Sequence, residues 1–482
     1  MKFRSVYVRI FVLSLNLATI VYSQELNYLV YDRDQIPNSI YRSRRDKLVE
    51  ELGKDAVAIL YSAPERTRNA DTDYRYRQDD NFYYLTGFNE PNAILLLSGR
   101  GMAVADLRDS ARIDTVNEIL FVQSRNPRFE QWTSRRFGPE GAMKLLGVQY
   151  ALAIEKFKSR FPSVVPMAAM KYLYAANLAK ETTGRISELL QPVRSTIDEL
   201  KSNGSQIEVR EPSSIIKKFR VVKSPEEIAL ITRAAHISAL AHRQAMMSCK
   251  PGMAEYELQA IYEYVFGKLG SEYPAYPCIV GSAENSVILH YNTNRRTIAD
   301  GDIVLADCAA EYHNYASDVT RTFPANGKFS VPQRKVYQIV LDAQNSAIGM
   351  MKPGVAWTDV TAKADSVLEN GLHALGIVKE KDKHEFRRFC THGLGHAVGL
   401  DVHDVSSAVM MPGIVYTIEP GIYIPDNIQG IDPQYFNLGV RIEDDILITS
   451  DGHKILSEEA PREIEEIEAL MKQKGIGGFP IE

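Results

Sequence analysis

Three of the ten histidines in this 482-residue chain, His392, His396 and His403, fall within a single twelve-residue stretch. The spacing of His392 and His396 suits a zinc-binding helix, but that motif needs glutamate in its second place, where Gly393 stands. A lone histidine is more often a hydrogen-bonded core residue, as His242 or His313 could be; three together in a domain with strand-borne acids point to a site. Asp307 closes the apolar run Ile303-Val304-Leu305-Ala306, and Asp318 lies in the next strand-like run, Ser317 to Phe323. A tight hairpin centred between positions 312 and 313 puts Asp307 directly opposite Asp318, with Cβ atoms ~5 Å apart on one sheet face. Two bare carboxylates there repel, and burying them costs more; a bound cation turns the repulsion into attraction. A pair of exposed aspartates at strand ends is the plain alternative. Glu419 ends Ile414-Val415-Tyr416-Thr417-Ile418, and Glu443 lies inside the apolar run from Gly439 to Ile448. Ionised acids are seldom buried unpaired. Either Glu443 pairs with a neighbouring arginine, or Asp307, Asp318, Glu419 and Glu443 gather with one histidine around two divalent ions, which sit ~3.5–4 Å apart in such centres. Oxygen-rich ligation without sulfur suits Mn²⁺ best and also admits Zn²⁺, Co²⁺ or Fe²⁺.

These residues need strands to hold them and helices to back the strands. Ser224 is an N-cap, Pro225 follows at the first helical position, and Glu226 and Glu227 fill the first turn. A second helix is expected over about 254–269, ending at Gly270, and a last one over 461–474 with its acids on a solvated face. Lys250-Pro251-Gly252 recurs as Lys352-Pro353-Gly354, and the Gly301-to-Asp307 string is echoed by Gly413 to Glu419. The first pair is offset by 102 positions and the second by 112, so the later copy holds ten extra residues, for which 379–384 is a plausible place. Two related half-domains, each helix-helix-strands, are predicted to face one another. Upstream, Ala56-Val57-Ala58-Ile59-Leu60-Tyr61 and Ala93-Ile94-Leu95-Leu96-Leu97 read as buried strands of a separate mixed α/β domain. The expected plan is a leader at 1–23, an amino-terminal domain at 24–205, a linker at 206–223 and a second domain at 224–482.

Composition narrows the function. Hydrophobic residues make up 45% and charged residues 24%, the balance of a globular protein. Lys+Arg number 56 against 61 Asp+Glu, for a net charge of −5. Such a balance offers no field to attract nucleic acid or anionic lipid. The four cysteines contain no CxxC, which removes thiolate zinc sites and dithiol redox chemistry. Basic Lys2, Arg4 and Arg9 precede the apolar run Ile10 to Tyr22, the pattern of an export signal. That run is too short to span a bilayer, and no later stretch spans one. A mitochondrial presequence is the rival, though such segments are amphipathic and this one is apolar all round.

Several strings together resemble a known family. Ile288-Leu289-His290-Tyr291, Asp307 with Asp318, His392-Gly393-Leu394-Gly395-His396, Leu400-Asp401-Val402-His403-Asp404, Thr417-Ile418-Glu419-Pro420-Gly421 and Val440-Arg441-Ile442-Glu443-Asp444-Asp445 are similar to the motifs of Xaa-Pro aminopeptidases (aminopeptidase P). These are pita-bread metallopeptidases, close to prolidase. The Asn81-to-Gly87 region and Asp71 resemble the family's amino-terminal domain. The resemblance implies an α/β protein, with a mixed amino-terminal domain and a pita-bread catalytic domain of two related halves. It implies Asp307, Asp318, His396, Glu419 and Glu443 as dimetal ligands, usually for Mn²⁺, with Glu419 also shuttling protons. It further implies that His290 and His403 bind or polarise the substrate, His392 lines a proline pocket, and Arg441 supports the ligands. Asp71 would contact the substrate's free amine, and the protein would be a homo-oligomer, dimer or tetramer. The substrate would be a peptide with proline second. Prolidase-type dipeptidases need a cation for the carboxylate after proline, and relatives often carry arginine between the His-Asp and Glu-Pro-Gly motifs. The segment 405–412 (VSSAVMMP) has none, which favours longer peptides. A metal-free peptide-binding module of the same fold is the non-enzyme reading, which intact ligands oppose.

Overall fold

A computed structural model of the chain describes residues 34–105, 112–165, 169–176, 178, 184–381, 384–426 and 428–478. The expected leader at 1–23 lies outside the described residues. Among those described, no helix is long and apolar enough to cross a membrane. The chain divides into two compact units, Met1–Lys217 and Lys218–Glu482.

The first unit is built on a six-stranded sheet in the order Ala151–Ala153, Ile113–Val122, Ile94–Ala105, Ala56–Tyr61, Tyr172–Ala175, Glu208–Arg210. Ala56–Tyr61 occupies the predicted span and pairs antiparallel with Ile94–Ala105 and parallel with Tyr172–Ala175. Five of its six residues are buried, as its unbroken apolar run requires of a central strand. Val57, Ile59, Leu96, Phe121 and Phe157 share one core. Arg45, fully buried, is tolerated there because its Nε and Nη2 reach Glu118 at 2.5 and 3.2 Å. The segment expected as a linker, 206–223, is not featureless. Glu208–Arg210 extends the sheet and Ser213–Arg220 is a helix, held by the buried side chains of Ile207 and Ile216.

In the second unit, Ser224 closes a full capping box. Its Oγ accepts from Glu227 N, and Glu227 Oε2 accepts from Ser224 N at 2.9 Å. The helix it starts, Pro225–Ser248, is followed by Glu255–Lys268; Val331–Ile348 and Trp357–Ala374 repeat the pair. The repeat read from sequence is present in detail. Gly252 and Gly354 have φ of +95° and +85°, backbone that favours glycine, and their N–H groups donate to Ile298 O and Met410 O at 2.8 and 2.9 Å. The bridges Ala254–Thr297 and Ala356–Val409 are likewise equivalent. The ten extra residues are split: the second helix of the later half runs 18 residues against 14, and the rest lie between its end and Val409, the counterpart of Thr297.

The predicted final helix is shorter than expected, Ile464–Leu470. The carbonyls of Ala460 and Pro461 accept from the buried Arg321 guanidinium, and that of Arg462 from the Tyr337 hydroxyl. These tertiary bonds hold residues 460–462 out of the helix. Glu465 and Glu466 are solvated as expected, whereas Glu468 is buried against Lys328.

Candidate active site

Asp307 ends the strand Ile303–Asp307, which lies between Ile279–Ser282 and Thr320–Pro324. The register corrects the expected pairing. Asp307 faces Thr320, not Asp318. The turn is formed by His313 and Asn314, with φ of +48° and +64°, and Tyr312 pairs with Tyr315. A two-residue turn with both φ positive matches strand twist, and it centres one residue later than the sequence reading did. Asp318 then falls just before the strand, where the regular pairing is interrupted, and still meets Asp307. The Tyr276 hydroxyl lies 2.6 Å from an oxygen of each carboxylate.

The second half supplies the rest. His396 is held by backbone N donating to Thr417 Oγ1 at 3.0 Å, while Thr417 N donates to His396 O at 2.8 Å. Its Nε2 stands 3.4 Å from Asp318 Oδ2 and 3.5 Å from Glu419 Oε1. Glu419 follows the strand Val415–Ile418 and is tied by its N–H to Leu394 O at 2.8 Å. Glu443 sits between the strands Leu438–Arg441 and Asp444–Ile448. Its N–H donates to Thr320 O, and its Oε2 accepts from Thr320 Oγ1 at 2.6 Å. That threonine, opposite Asp307, thus joins the two halves. The neighbouring Arg441 directs its Nη2 to Asp307 Oδ2 at 2.6 Å, while its charge also acts on Glu443.

All five expected ligands, with His290, His392, His403 and Arg441, line one cavity of about 290 Å³. A neighbouring cavity of about 460 Å³ shares His290, Asp307, Asp318 and His403 and adds Tyr276, Asn292 and Asp401. Asp71 belongs to the other unit, exposed at the turn of the Thr67–Asn69/Thr72–Asp73 hairpin. The structure brings together nine of the ten residues named from sequence.

The electrostatics state why such a cluster needs help. Burial pushes Asp307 above its ordinary value, although Arg441 opposes this. Burial and then the Asp318 charge push Glu443 far up. Glu419 rises to about 7 through burial, partly offset by His396. Burial disfavours the His396 imidazolium, but the Asp318 hydrogen bond and charge outweigh it and raise the group to about 9. A site this acidic without a cation can ionise only by paying its own repulsion. Asp318, His396 and Glu443 each offer an atom within 4.8 Å of the others, the grouping a metal needs. The donors are oxygen and imidazole nitrogen, so the set fits hard or borderline divalent ions.

His392 has a different role. Its Nδ1 lies 2.7 Å from Gly393 O, which only accepts, so Nδ1 carries the proton. Its Nε2 therefore accepts from the Tyr423 hydroxyl at 2.7 Å, and that hydroxyl accepts from Arg441 Nη1 at 2.8 Å. Burial and then the Arg441 charge lower His392 to about 4, consistent with this neutral tautomer. Arg441 is the hub, donating to Asp307, Tyr423 and, through Nε, Thr320 at 3.1 Å.

Sequence reasoning missed Tyr276, Tyr423, Thr320 and Asp445, whose Oδ2 accepts from Asp318 N at 3.1 Å. The tyrosines carried one available signal. A buried phenol must find a partner, and Tyr423 lies just past the Glu-Pro-Gly string.

The chain matches two family models: "Metallopeptidase family M24" over residues 229–450 and "Aminopeptidase P, N-terminal domain" over 41–174. It is 38% identical to the Xaa-Pro aminopeptidase of Escherichia coli, covering 91% of this chain and 98% of that one. It is 34% identical to human Xaa-Pro aminopeptidase 3 (90% and 86% covered) and 30% identical to the Xaa-Pro dipeptidase of Pongo abelii (91% and 94%). Among solved structures, Escherichia coli aminopeptidase P with the inhibitor Pro-Leu superposes with a TM-score of 0.83 at 37% identity, over 91% of this chain and 99% of that one. A zinc-substituted form of the same enzyme with product gives the same score. Two related half-domains, a carboxylate-imidazole centre between them and these likenesses agree: the chain belongs to the aminopeptidase P family of M24 metallopeptidases.

Proposed function

We propose that this enzyme hydrolyses the bond between an amino-terminal residue and a following proline, with Asp307, Asp318, His396, Glu419 and Glu443 holding two divalent ions. The observation that carries the reading is the convergence of those five side chains, from both halves, on one cavity. When bound, the ions would acidify a water and polarise the scissile carbonyl. The chain's own residues do the rest. Glu419, beside His396 and with Oε2 3.6 Å from His392 Nδ1, is placed to pass a proton to the departing nitrogen. His290 and His403, exposed on the cavity wall, are placed to donate to the substrate carbonyl. Neutral His392, oriented by Tyr423 and Arg441, lines the proline pocket. Mn²⁺ is the proposed metal, Asp71 the proposed contact for the substrate's amine, and a homo-oligomer the proposed assembly. Export, on the basic-then-apolar start of the chain, is the proposed destination.

The dipeptidase reading has a specific competitor's support in the Pongo abelii relative. Against it, the 405–412 segment presents exposed Val409 and Met411 and no cation for a terminal carboxylate. The test is release of the first residue from Xaa-Pro-Xaa and Xaa-Pro peptides after chelation and defined metal return. Metal-dependent cleavage of the longer peptide, with the dipeptide a poorer substrate, is expected. Preference for the dipeptide would establish the prolidase reading. Binding without cleavage of either would remove the enzymatic one.

A further inference from the structure

The helix Pro225–Ser248 sends two polar side chains, Ser238 and His242, from one face into the stretch that joins Asp307 to Asp318. Regular pairing there holds at Asp307–Thr320 and again at Glu311–Ala316; between them the ladder is interrupted and the strands are linked by two longer backbone bonds, Cys308 N to Val319 O and Ser317 N to Ala310 O, each 3.2 Å. His242 fills the lower part of that gap. Its Nε2 lies 3.1 Å from Cys308 O and 2.9 Å from Val319 O, the carbonyls of the residues that follow Asp307 and Asp318. Carbonyls only accept, so Nε2 bears the proton, and Nδ1 accepts from the Tyr262 hydroxyl at 2.9 Å. Ser238 fills the upper part. Its Oγ accepts from Ala310 N at 2.8 Å and lies 2.8 Å from Ser317 Oγ. Both side chains are fully buried. Burial, then the Arg321 charge, hold the imidazole neutral by lowering it to about 3. A histidine that merely filled core space would not need two acceptors, each one peptide away from a different candidate ligand.

We propose that His242, assisted by Ser238, is a positioning residue for the metal centre: it ties the backbone beside Asp307 to the backbone beside Asp318 and so sets the spacing of the two carboxylates. Groups one step outside a metal's ligands typically alter affinity by ~10–100-fold, and His242 acts one step further through backbone. The inference rests on the dimetal reading of the site.

The experiment is Mn²⁺ titration of the chelated full-length protein against a metallochromic competitor, with the unfolding midpoint recorded alongside. His242→Phe, which keeps a ring but no donor, is expected to weaken Mn²⁺ affinity about tenfold. His242→Gln, whose amide can still donate, is expected to recover part of the loss. Ile231→Val, a fully buried change on the same helix, is the control that lowers the midpoint and leaves the affinity alone. If His242→Phe does not fold, Ser238→Ala and His242→Gln carry the test, each expected to weaken Mn²⁺ binding by severalfold. Affinity within twofold of the parent in the folded variants, or an equal loss in Ile231→Val, overturns the proposal. A parent that binds no Mn²⁺ overturns the dimetal reading and this inference with it.

Discussion

Nε2 of His396 lies 3.4 Å from Oδ2 of Asp318, although the two residues come from opposite halves of the catalytic unit. In the absence of a metal the imidazolium compensates the carboxylate; in the proposed centre both side chains would hold an ion, which would take over that compensation. Asp318→Ala removes a proposed ligand and half of this contact while leaving the surrounding strands paired. The expected result is loss of metal and a fall in activity exceeding the ~10–100-fold typical of outer groups. Added Mn²⁺ should raise the parent's unfolding midpoint, because a ligand that binds only the folded state stabilises it, and should leave the variant's unchanged. Parent-like metal binding or turnover in Asp318→Ala would refute the ligand assignment.

Tyr423 tests the chain of donors that ends on His392. Its hydroxyl accepts from Arg441 and donates to His392 Nε2. Tyr423→Phe removes both bonds and frees His392 to turn, while Asp307 keeps its arginine. The expected effect is a several-fold rise in KM for proline peptides with metal content unchanged. Arg441→Lys loses the forked contacts to Asp307 and Thr320 as well, so it should lower kcat and weaken metal binding together. Steady-state kinetics and metal analysis on both variants separate the two outcomes. Equal effects of both changes on KM alone would contradict the arrangement.

Much of this was legible because apolar strands ending in an acid are rare without a reason. Asp307 and Glu419 each announced themselves that way, Glu443 did so as an acid inside an apolar run, and the offsets of 102 and 112 exposed the two halves. The register between Asp307 and Asp318 was not legible, since it depends on which two residues adopt positive φ, and His313-Asn314 carries no glycine to mark them. Tyr276 was invisible for another reason. It precedes Asp307 and Asp318 by 31 and 42 positions, and only the fold brings its hydroxyl between them. His242 read as an ordinary core histidine, because a helix sequence does not say whose carbonyls its buried face will meet.

The turn itself offers a stability test. Asn314 has φ of +64°, where asparagine is at home and a β-branched residue is not. Asn314→Val should cost about 1–2 kcal/mol, and Asn314→Gly should cost much less. Because the turn sets the register that places Asp318, the valine variant should also lose metal affinity. Denaturant unfolding of the chelated protein, paired with Mn²⁺ titration, checks both. A valine variant as stable as the parent would show that the turn does not hold the register.

Glu90, in the amino-terminal unit, gives a pH prediction independent of any metal. It is buried, its Oε1 accepts from Phe137 N at 2.9 Å, and its Oε2 has no hydrogen-bond partner among the described residues. Burial raises it to about 7 from an ordinary 4.5, the Phe137 bond and the Arg136 charge opposing. A carboxyl raised in the folded state binds its proton more tightly there than when unfolded. Its stabilising contribution is therefore complete below about 4.5 and is lost as pH rises through 7. At ~1.4 kcal/mol per pH unit, the ceiling is roughly 3 kcal/mol. Glu90→Gln, which stays neutral, should flatten the fall in stability of this unit between pH 5 and 8 and be relatively more stable at the upper end. Unfolding curves followed by a probe in the first unit, at pH 5 and pH 8, decide it. An unchanged difference between the two pH values in the glutamine variant would mean that Glu90 is already ionised at low cost in the folded chain.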